Sequence, residues 1–376
     1  MRTVEAAGLA IGPGAPTRIM GVVNVSARSP YEPSVTTAAD DAAERIDDLV
    51  DEGADIVDVG LSTANKRYEP LSVEAELDRL AVAADAIASA SRSAVYSIET
   101  RYHEVAAAAL DRGFEMVNDV CGFADPEMPR VCADHDVAVV KMASPPDLSR
   151  PGALESVRAI HEALARGGFT DKTIVDPAFG GWSEGKTLAD DRETFRRLSE
   201  FRAYRRPILV SINRKNFLRE LAGRSTEKAL PVSLAATALA VERGASVVRT
   251  HDVAATRDAA VVGDDLGDER LVREGDVDVI EFDAPPASTL RAQLRRSSAD
   301  PARAADWTWR AFELAGLGDE APWLRDRLAD AGVQVQGEDP MVLAGSTRTL
   351  RRIQRVVGDA PPEIADALEA VVAAAR

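Results

Sequence analysis

The sequence predicts an α/β fold in which eight parallel strands close into a (β/α)8 barrel, followed by a mostly helical C-terminal extension. Three observations carry this. Eight short runs rich in Val and Ile recur from residue 18 to about residue 265, each the length of a buried strand. Longer Ala-rich segments with apolar residues at helical spacing lie between most of them, the alternation of βαβ units and a parallel sheet. Three joints, EGADIVDVG, RGFEMVNDV and RGASVVRTH, set a glycine before a strand that ends in a polar group, and glycine suits the left-handed turn that closes a helix. Eight such units make a TIM barrel.

The runs cover residues 18–25, 55–60, 94–98, 116–120, 137–142, 173–176, 207–212 and 246–250. Their ends are polar where a core strand needs no polar group. In order they offer Asn24, Gly60 with Ser62 and Thr63, Glu99, Asn118, Met142, Asp176, Lys215, and Arg249 with His251. In a barrel the carboxyl ends of all strands face one mouth, so these residues are expected to converge. DAPPASTL marks a boundary, dividing a barrel at 1–285 from an extension at 286–376 with no polar strand ends. Trp307, Trp309 and Trp323 in that extension are expected to anchor a core or an interface.

Composition narrows the function. The chain has 376 residues, 62 acidic against 45 basic, and a formal charge of -17, with no stripe of basic groups to hold a phosphate backbone, so nucleic acid is not expected as a partner. No apolar run approaches the ~18 residues a membrane span needs, and a cytoplasmic location is expected. Cys121 and Cys132 match no disulfide framework or structural zinc motif. Arginine greatly outnumbers lysine, and carboxylates crowd predicted outer faces (Asp40, Asp41, Glu44, Asp47, Asp48, Asp51), which suggests a salt-adapted surface or an ordinary acidic one.

Two carboxylates and an amide at strand ends suit a heterocycle with several N–H donors, while Arg249 and His251, two apart on an extended segment, face the same way and suit a phosphate. Each also has a structural reading. Asp176-Pro177 suits a turn, Arg214 with Lys215 a solvated pair, Arg249 a salt bridge on the barrel rim, Asp252 a helix cap, and Glu99 a partner for Arg101. His103, His135 and His161 fall in helical or turn regions. GGWSEGKT lacks the spacing of a P-loop and reads as a flexible turn after the sixth strand.

RIMGVVNVS, DIVDVG followed by ST, VYSIET, VNDVCG, VDPAFG, SINRKNFL and VVRTHDV, in this order, resemble the successive motifs of dihydropteroate synthase over about residues 18–265. The resemblance implies an enzyme of folate biosynthesis that joins a dihydropterin methyl diphosphate to 4-aminobenzoate and releases diphosphate. It also implies roles. Asn118, Asp176, Met142 and Lys215 would bind the pterin, with Glu99 standing where the family usually has an aspartate. Asn24, Thr63, Arg249 and His251 would hold the diphosphate, Asn24 would ligate Mg2+, and Lys215, Arg249 and His251 would serve catalysis. A homodimer is implied as well.

The first two loops depart from the family pattern. Ser26, Ala27, Arg28, Ser29 and Pro30 replace a threonine-proline-aspartate-serine-phenylalanine run, and Ser62, Thr63, Ala64, Asn65, Lys66 and Arg67 stand for serine-threonine-arginine-proline-glycine. Asn216 replaces a serine near the aminobenzoate carboxylate. The acceptor is therefore expected to be 4-aminobenzoate or a related arylamine. Two alternatives remain at this level: a pterin-dependent methyltransferase, which has no need of a diphosphate clamp, and a non-catalytic pterin-binding protein.

Overall fold

A computed structural model describes residues 2–25, 35–36, 38–62, 71–148, 151–152, 154–180, 185–267, 271–274, 277–282, 294–295, 299–301 and 310–374. The chain forms two compact units, one of Arg2–Phe201 with Arg206–Gly267 and the other of Arg202–Arg205 with Asp268–Arg376.

The first unit is a closed (β/α)8 barrel. Its strands are β1 (Arg18–Val25), β2 (Ile56–Gly60), β3 (Val95–Thr100), β4 (Met116–Asp119), β5 (Ala138–Met142), β6 (Thr173–Asp176), β7 (Ile208–Val210) and β8 (Ala245–Thr250). Each pairs in parallel with the next, and β8 returns to β1 through Val247↔Arg18 to Thr250↔Gly21. All eight lie within two residues of the runs expected from the sequence. The glycines at the three joints, Gly53, Gly113 and Gly244, have positive φ, as the helix-closing turn requires.

A period of two along each strand sorts the interior into layers. Met20, Ile56, Val95, Met116, Ala138, Ile174, Leu209 and Val247, one from each strand, form a buried apolar layer. An N-terminal hairpin, Val4–Ala6 paired with Leu9–Ile11, adds Val4, Ala6 and Ile11 to this layer. Two residues further along each strand the same parity reads Val22, Asp58, Ser97, Asn118, Val140, Asp176, Ser211 and Arg249. The barrel is thus apolar at its amino end and polar towards its mouth. The hairpin has no counterpart in the sequence reading, because three-residue strands leave too short a pattern.

Helices α1 (Ala39–Asp51), α2 (Val73–Ser89), α3 (His103–Leu110), α4 (Met128–Asp134), α5 (Val157–Ala165), α6 (Leu188–Arg196), α7 (Asn216–Ala222), α8 (Leu230–Glu242) and α9 (Val253–Leu266) follow the strands, two of them between β7 and β8. Leu49 of α1 lies against Gly21 of β1, where a Cβ would stand 3.1 Å from it. Side-chain caps start α2 (Ser72 to Ala75), α5 (Ser156 to Ala159) and α6, where Thr187 and Asp190 form a capping box. Lys141, of outward parity on β5, is fully buried. Its ammonium donates to the carbonyls of Arg166 and Gly168 and lies 4.6 and 5.0 Å from the ring centres of Phe123 and Phe169. No described helix is long and apolar enough to cross a membrane.

The second unit contains an antiparallel sheet of β9 (Leu271–Glu274), β10 (Val277–Phe282), β11 (Arg310–Ala315), β12 (Gln334–Gly337) and β13 (Met341–Gly345), in the order β9-β10-β11-β13-β12. Phe312, Leu314, Met341 and Leu343 pack with Leu324 and Leu328 of α10 (Ala321–Asp330) and with Ile364, Leu368 and Val371 of α11 (Pro362–Ala374). Helical segments do make up much of 286–376, but they are organised on a sheet that the sequence pattern conceals. AFELA and MVLAG are buried along their whole length, so neither alternates and neither can be told from a helical run by periodicity. The unit also begins near 268, earlier than DAPPASTL suggests. Trp323 packs partly buried against its core, whereas Trp307 and Trp309 lie outside the described residues.

Gly122 links fold to site. Its φ is +61°, and a Cβ there would stand 2.1 Å from the carbonyl oxygen of Met142, so Gly122→Ala must displace the end of β5. A loss of roughly 2–4 kcal/mol is expected from strain and displaced packing. Urea unfolding followed by far-UV circular dichroism checks it, and an unchanged midpoint would refute the argument.

Candidate active site

Strand ends and loops meet in a cleft lined by Glu99, Asn118, Val120, Met142, Asp176, Ala178, Phe179, Ser211, Lys215 and Arg249. The cleft is partly open to solvent, and its lining combines carboxylate, amide, cationic and aromatic groups. Strand register explains much of the convergence. Asn24, Gly60, Glu99 and Asn118 pair successively across β1, β2, β3 and β4, and Met142 pairs with Asp176.

Asp58 lies beneath this row. Fully buried on β2, it accepts hydrogen bonds from Ser97 Oγ at 2.8 Å, Asn118 Nδ2 at 2.9 Å and Arg249 Nε at 2.7 Å. A carboxylate only accepts, so the Asn118 nitrogen must face Asp58, which leaves its carbonyl oxygen for the cleft. Arg249 Nη2 donates to Glu99 Oε2 at 2.6 Å. Burial works against the charged guanidinium, but Asp58 and Glu99 outweigh it and raise its pKa. Asp58 is absent from the candidates above, although the alternation Ile56, Asp58, Gly60 sets it on the inner face.

Burial governs the remaining charges. It pushes the Glu99 carboxyl up to about 7, against the pull of Arg249 and with the help of Asp58. It raises Asp176 to about 6, although the Ala178 N–H donates to Asp176 at 2.7 Å and Lys215 and Arg249 are near. Burial, then the positive charge of Arg249, brings Lys215 down to about 8, with Asp176 opposing. His251 follows β8, and burial with Arg249 and Lys215 lowers it to about 3. The imidazole is neutral at physiological pH, and the cationic charge at the end of β8 belongs to Arg249.

Two further contacts hold the loops. Arg214 forms a two-pronged pair with Asp252, Nε to Oδ2 at 2.7 Å and Nη2 to Oδ1 at 2.9 Å, and Asn213 donates to the same carboxylate at 2.9 Å. Arg214 is therefore not a solvated neighbour of Lys215. Asp252 does precede α9 but makes no side-chain cap. Glu99 pairs with Arg249, whereas Arg101 donates to the carbonyls of Leu148 and Leu71. In the loop after β6, Lys186 is buried, pairs with Asp191 at 3.0 Å and donates to the Ala178 carbonyl, while Gly180 N donates to Asp191. This end of GGWSEGKT is thus anchored rather than a flexible turn; residues 181–184 lie outside the described ones. Gly180, at φ +116°, lets the loop cross Lys215, whose Nζ would stand 3.1 Å from a Cβ at that position.

Of the expected site residues, Glu99, Asn118, Met142, Asp176, Lys215 and Arg249 line the cleft. Asn24 and His251 are not in its lining; the Asn24 amide oxygen lies over Gly60, 3.0 Å from where a Cβ would be. Thr63, Lys66, Arg67 and residues 26–30 lie outside the described residues. His103 begins α3 and pairs with Asp125, His135 follows α4, and His161 stacks on Phe201, in line with the helical or turn positions expected of all three.

A barrel with a polar mouth of this kind gathers its candidate ligand-binding groups at the carboxyl ends of the strands. The family model described as pterin binding enzyme matches residues 20–251, and the chain belongs to that family. It is 34% identical over 249 residues to a Haloferax volcanii protein named probable bifunctional folylpolyglutamate synthase/dihydropteroate synthase, covering 63% of this chain and 29% of that one. The chain thus spans about three tenths of the length of that relative. It is also 30% identical over 256 residues to inactive dihydropteroate synthase 2 of Mycobacterium tuberculosis, covering 64% and 79%. Among solved structures, dihydropteroate synthase from Coxiella burnetii in complex with pteroic acid is similar at TM-score 0.59 and 29% identity, over 70% of this chain and 98% of that one. The Thermus thermophilus enzyme in complex with 4-aminobenzoate is similar at TM-score 0.57 and 33% identity, over 70% and 100%.

The electrostatics can be read directly by competitive labelling of Lys215 with acetic anhydride across pH. The amine is expected to titrate near 8. Arg249→Gln removes a cation and should raise that value, and Asp176→Asn removes an anion and should lower it. Titration near the ordinary 10.5, insensitive to both changes, would contradict the geometry.

Proposed function

We propose that this protein is a dihydropteroate synthase-type transferase, condensing a 6-hydroxymethyl-dihydropterin diphosphate with 4-aminobenzoate or a related arylamine and releasing diphosphate. The observation that carries this reading is the meeting of Asp176, Asn118, Lys215 and Arg249 in one cleft. Family membership and the similarity to synthases solved with pteroic acid and with 4-aminobenzoate support it.

In this reading Asp176, as the carboxylate, accepts from the pterin ring N–H and amino group, and the Asn118 carbonyl oxygen accepts a further donor. Lys215 donates to the carbonyl side of the ring. The C–O bond to the diphosphate breaks with its electron pair leaving on the diphosphate, and the amine nitrogen forms the new C–N bond and loses a proton. Positive charge develops on the pterin methylene and negative charge on the leaving group. Arg249 stabilises the second, while neutral His251 contributes a hydrogen bond and no charge. No enzyme nucleophile is needed, so positioning carries much of the rate.

The Asn24 amide oxygen, set over bare backbone at Gly60, is a hard donor of the type Mg2+ takes. Asn24 would hold the ion, which when bound neutralises diphosphate charge. The pterin half of the reaction has described residues for each role, whereas the acceptor pocket rests on loops whose sequences depart from the family pattern. A homodimer belongs to the same proposal and rests on resemblance alone.

The test is diphosphate release from the dihydropterin diphosphate with magnesium, with and without 4-aminobenzoate, at low and high salt. Arylamine-dependent release is expected, with kcat/KM lowered about 100-fold or more in Asp176→Asn and in Lys215→Met. Pterin binding with no release under any salt condition would replace the transferase by a binding protein. A second expectation concerns pH. Asp176 and Glu99 must be carboxylates and Lys215 an ammonium, so kcat/KM should fall as pH drops through about 7 to about 6 and fall again as pH rises through about 8. A profile flat from pH 5 to about 9 would count against these roles.

A further inference from the structure

We propose that Glu99 is an internal competitor for the anionic half of the substrate: it holds the side of Arg249 nearest the mouth, and an entering diphosphate must exchange that ion pair for its own. This rests on the reading of the cleft as a pterin diphosphate site. The two carboxylates on Arg249 are not equivalent. Asp58 has no exposed side-chain surface, sits level with Ser97 in the strand register, and is fixed by Ser97 and Asn118 as well as by Arg249. Glu99 lies two residues nearer the mouth than Ser97 on the same strand, is 17% exposed, and lines the cleft. An anion coming from solvent therefore meets the Glu99–Arg249 pair, 2.6 Å long, and not the Asp58–Arg249 pair beneath it.

Glu99 also has somewhere to go. The neighbouring strand carries Gly60 at the paired position, where a Cβ would stand 3.8 Å from Glu99 Oε1, and the Asn24 amide oxygen, 3.0 Å from the same point, shares that space. A carboxylate that turns from Arg249 into the cleft it already lines leaves the guanidinium for the anion and becomes an acceptor for the pterin's N–H donors. The two halves of the substrate are thereby coupled. A dihydropterin diphosphate offers replacements for both ends of the broken pair, whereas inorganic diphosphate offers one and leaves Glu99 beside a like charge. Once the C–O bond is cleaved, Glu99 recaptures Arg249 and favours departure of the diphosphate.

Isothermal titration calorimetry of the full chain with magnesium tests this, using inorganic diphosphate alone and 6-hydroxymethylpterin alone as probes, on wild type, Glu99→Asp and Glu99→Gln. The aspartate keeps the charge and retracts it by a methylene; the glutamine removes it. Both variants are expected to bind inorganic diphosphate about tenfold more tightly, since the competing pair is stretched or lost. Glu99→Gln alone should bind the pterin alcohol several-fold more weakly, so the two halves move in opposite directions. Thermal melts establish that each variant is folded. Tighter diphosphate binding in glutamine but not in aspartate would reduce the effect to net charge and overturn the exchange, as would unchanged affinity in both or no binding by any form. Loss of arylamine-dependent turnover in wild type with the diphosphate ordering intact would instead sink the transferase reading and leave the exchange standing.

Discussion

The Asp58–Arg249 ion pair is the interaction on which the candidate site depends. It joins β2 to β8 inside the barrel, with Asp58 fully buried. Two charges taken from water at that depth are stable only if their remaining hydrogen-bonding capacity is filled. Ser97 and Asn118 fill it on the Asp58 side and Glu99 on the Arg249 side. Removing one partner of such a pair typically costs about 3–5 kcal/mol, because the other charge is left buried. Asp58 fixes the orientation of Asn118, Arg249 engages Glu99, and after burial the charge of Arg249 is the next cause that lowers Lys215 and His251.

The apolar layer beneath makes the pair effective. Eight interior side chains and the N-terminal hairpin fill the amino end of the barrel, so water reaches the charges from the mouth side. The local dielectric is low, and burial stands first among the causes shifting Glu99, Asp176, Lys215 and His251. Two carboxyls rise and two cations fall, and the window in which Asp176 is anionic while Lys215 is cationic narrows to about physiological pH. Outside the barrel the same rule holds for Lys141, which burial lowers to about 8 and backbone carbonyls satisfy.

The barrel is legible in the sequence because its strands alternate with helices and end in polar residues. The eight runs, the joint glycines and six cleft-lining residues follow from that pattern. Asp58 is harder to see: it sits mid-strand within DIVDVG, and only its parity with Ile56 marks it as facing inward. The Arg214–Asp252 pair joins residues 38 positions apart in sequence, and no local spacing announces it. The sheet of the second unit is hidden for a physical reason. Its central strands, Arg310–Ala315 and Met341–Gly345, are buried on both faces, and burial on both faces erases the period of two.

Sequence change falls unevenly across a site built this way. Residues on strands are fixed by ladder register, and a substitution among them acts on the whole charge network; Asn118 cannot turn its amide without setting its carbonyl oxygen against the Asp58 carboxylate. The residues that replace the family pattern, at 26–30 and 64–67, follow β1 and β2 in sequence and come after the ladder pairs that those strands make with each other. A barrel can therefore retain a complete pterin half while its acceptor half drifts, which is one way a protein named an inactive synthase can remain 30% identical to this chain. In the proposed reading the strand-end charges decide whether a pterin diphosphate is held, and the divergent segments decide what attacks it.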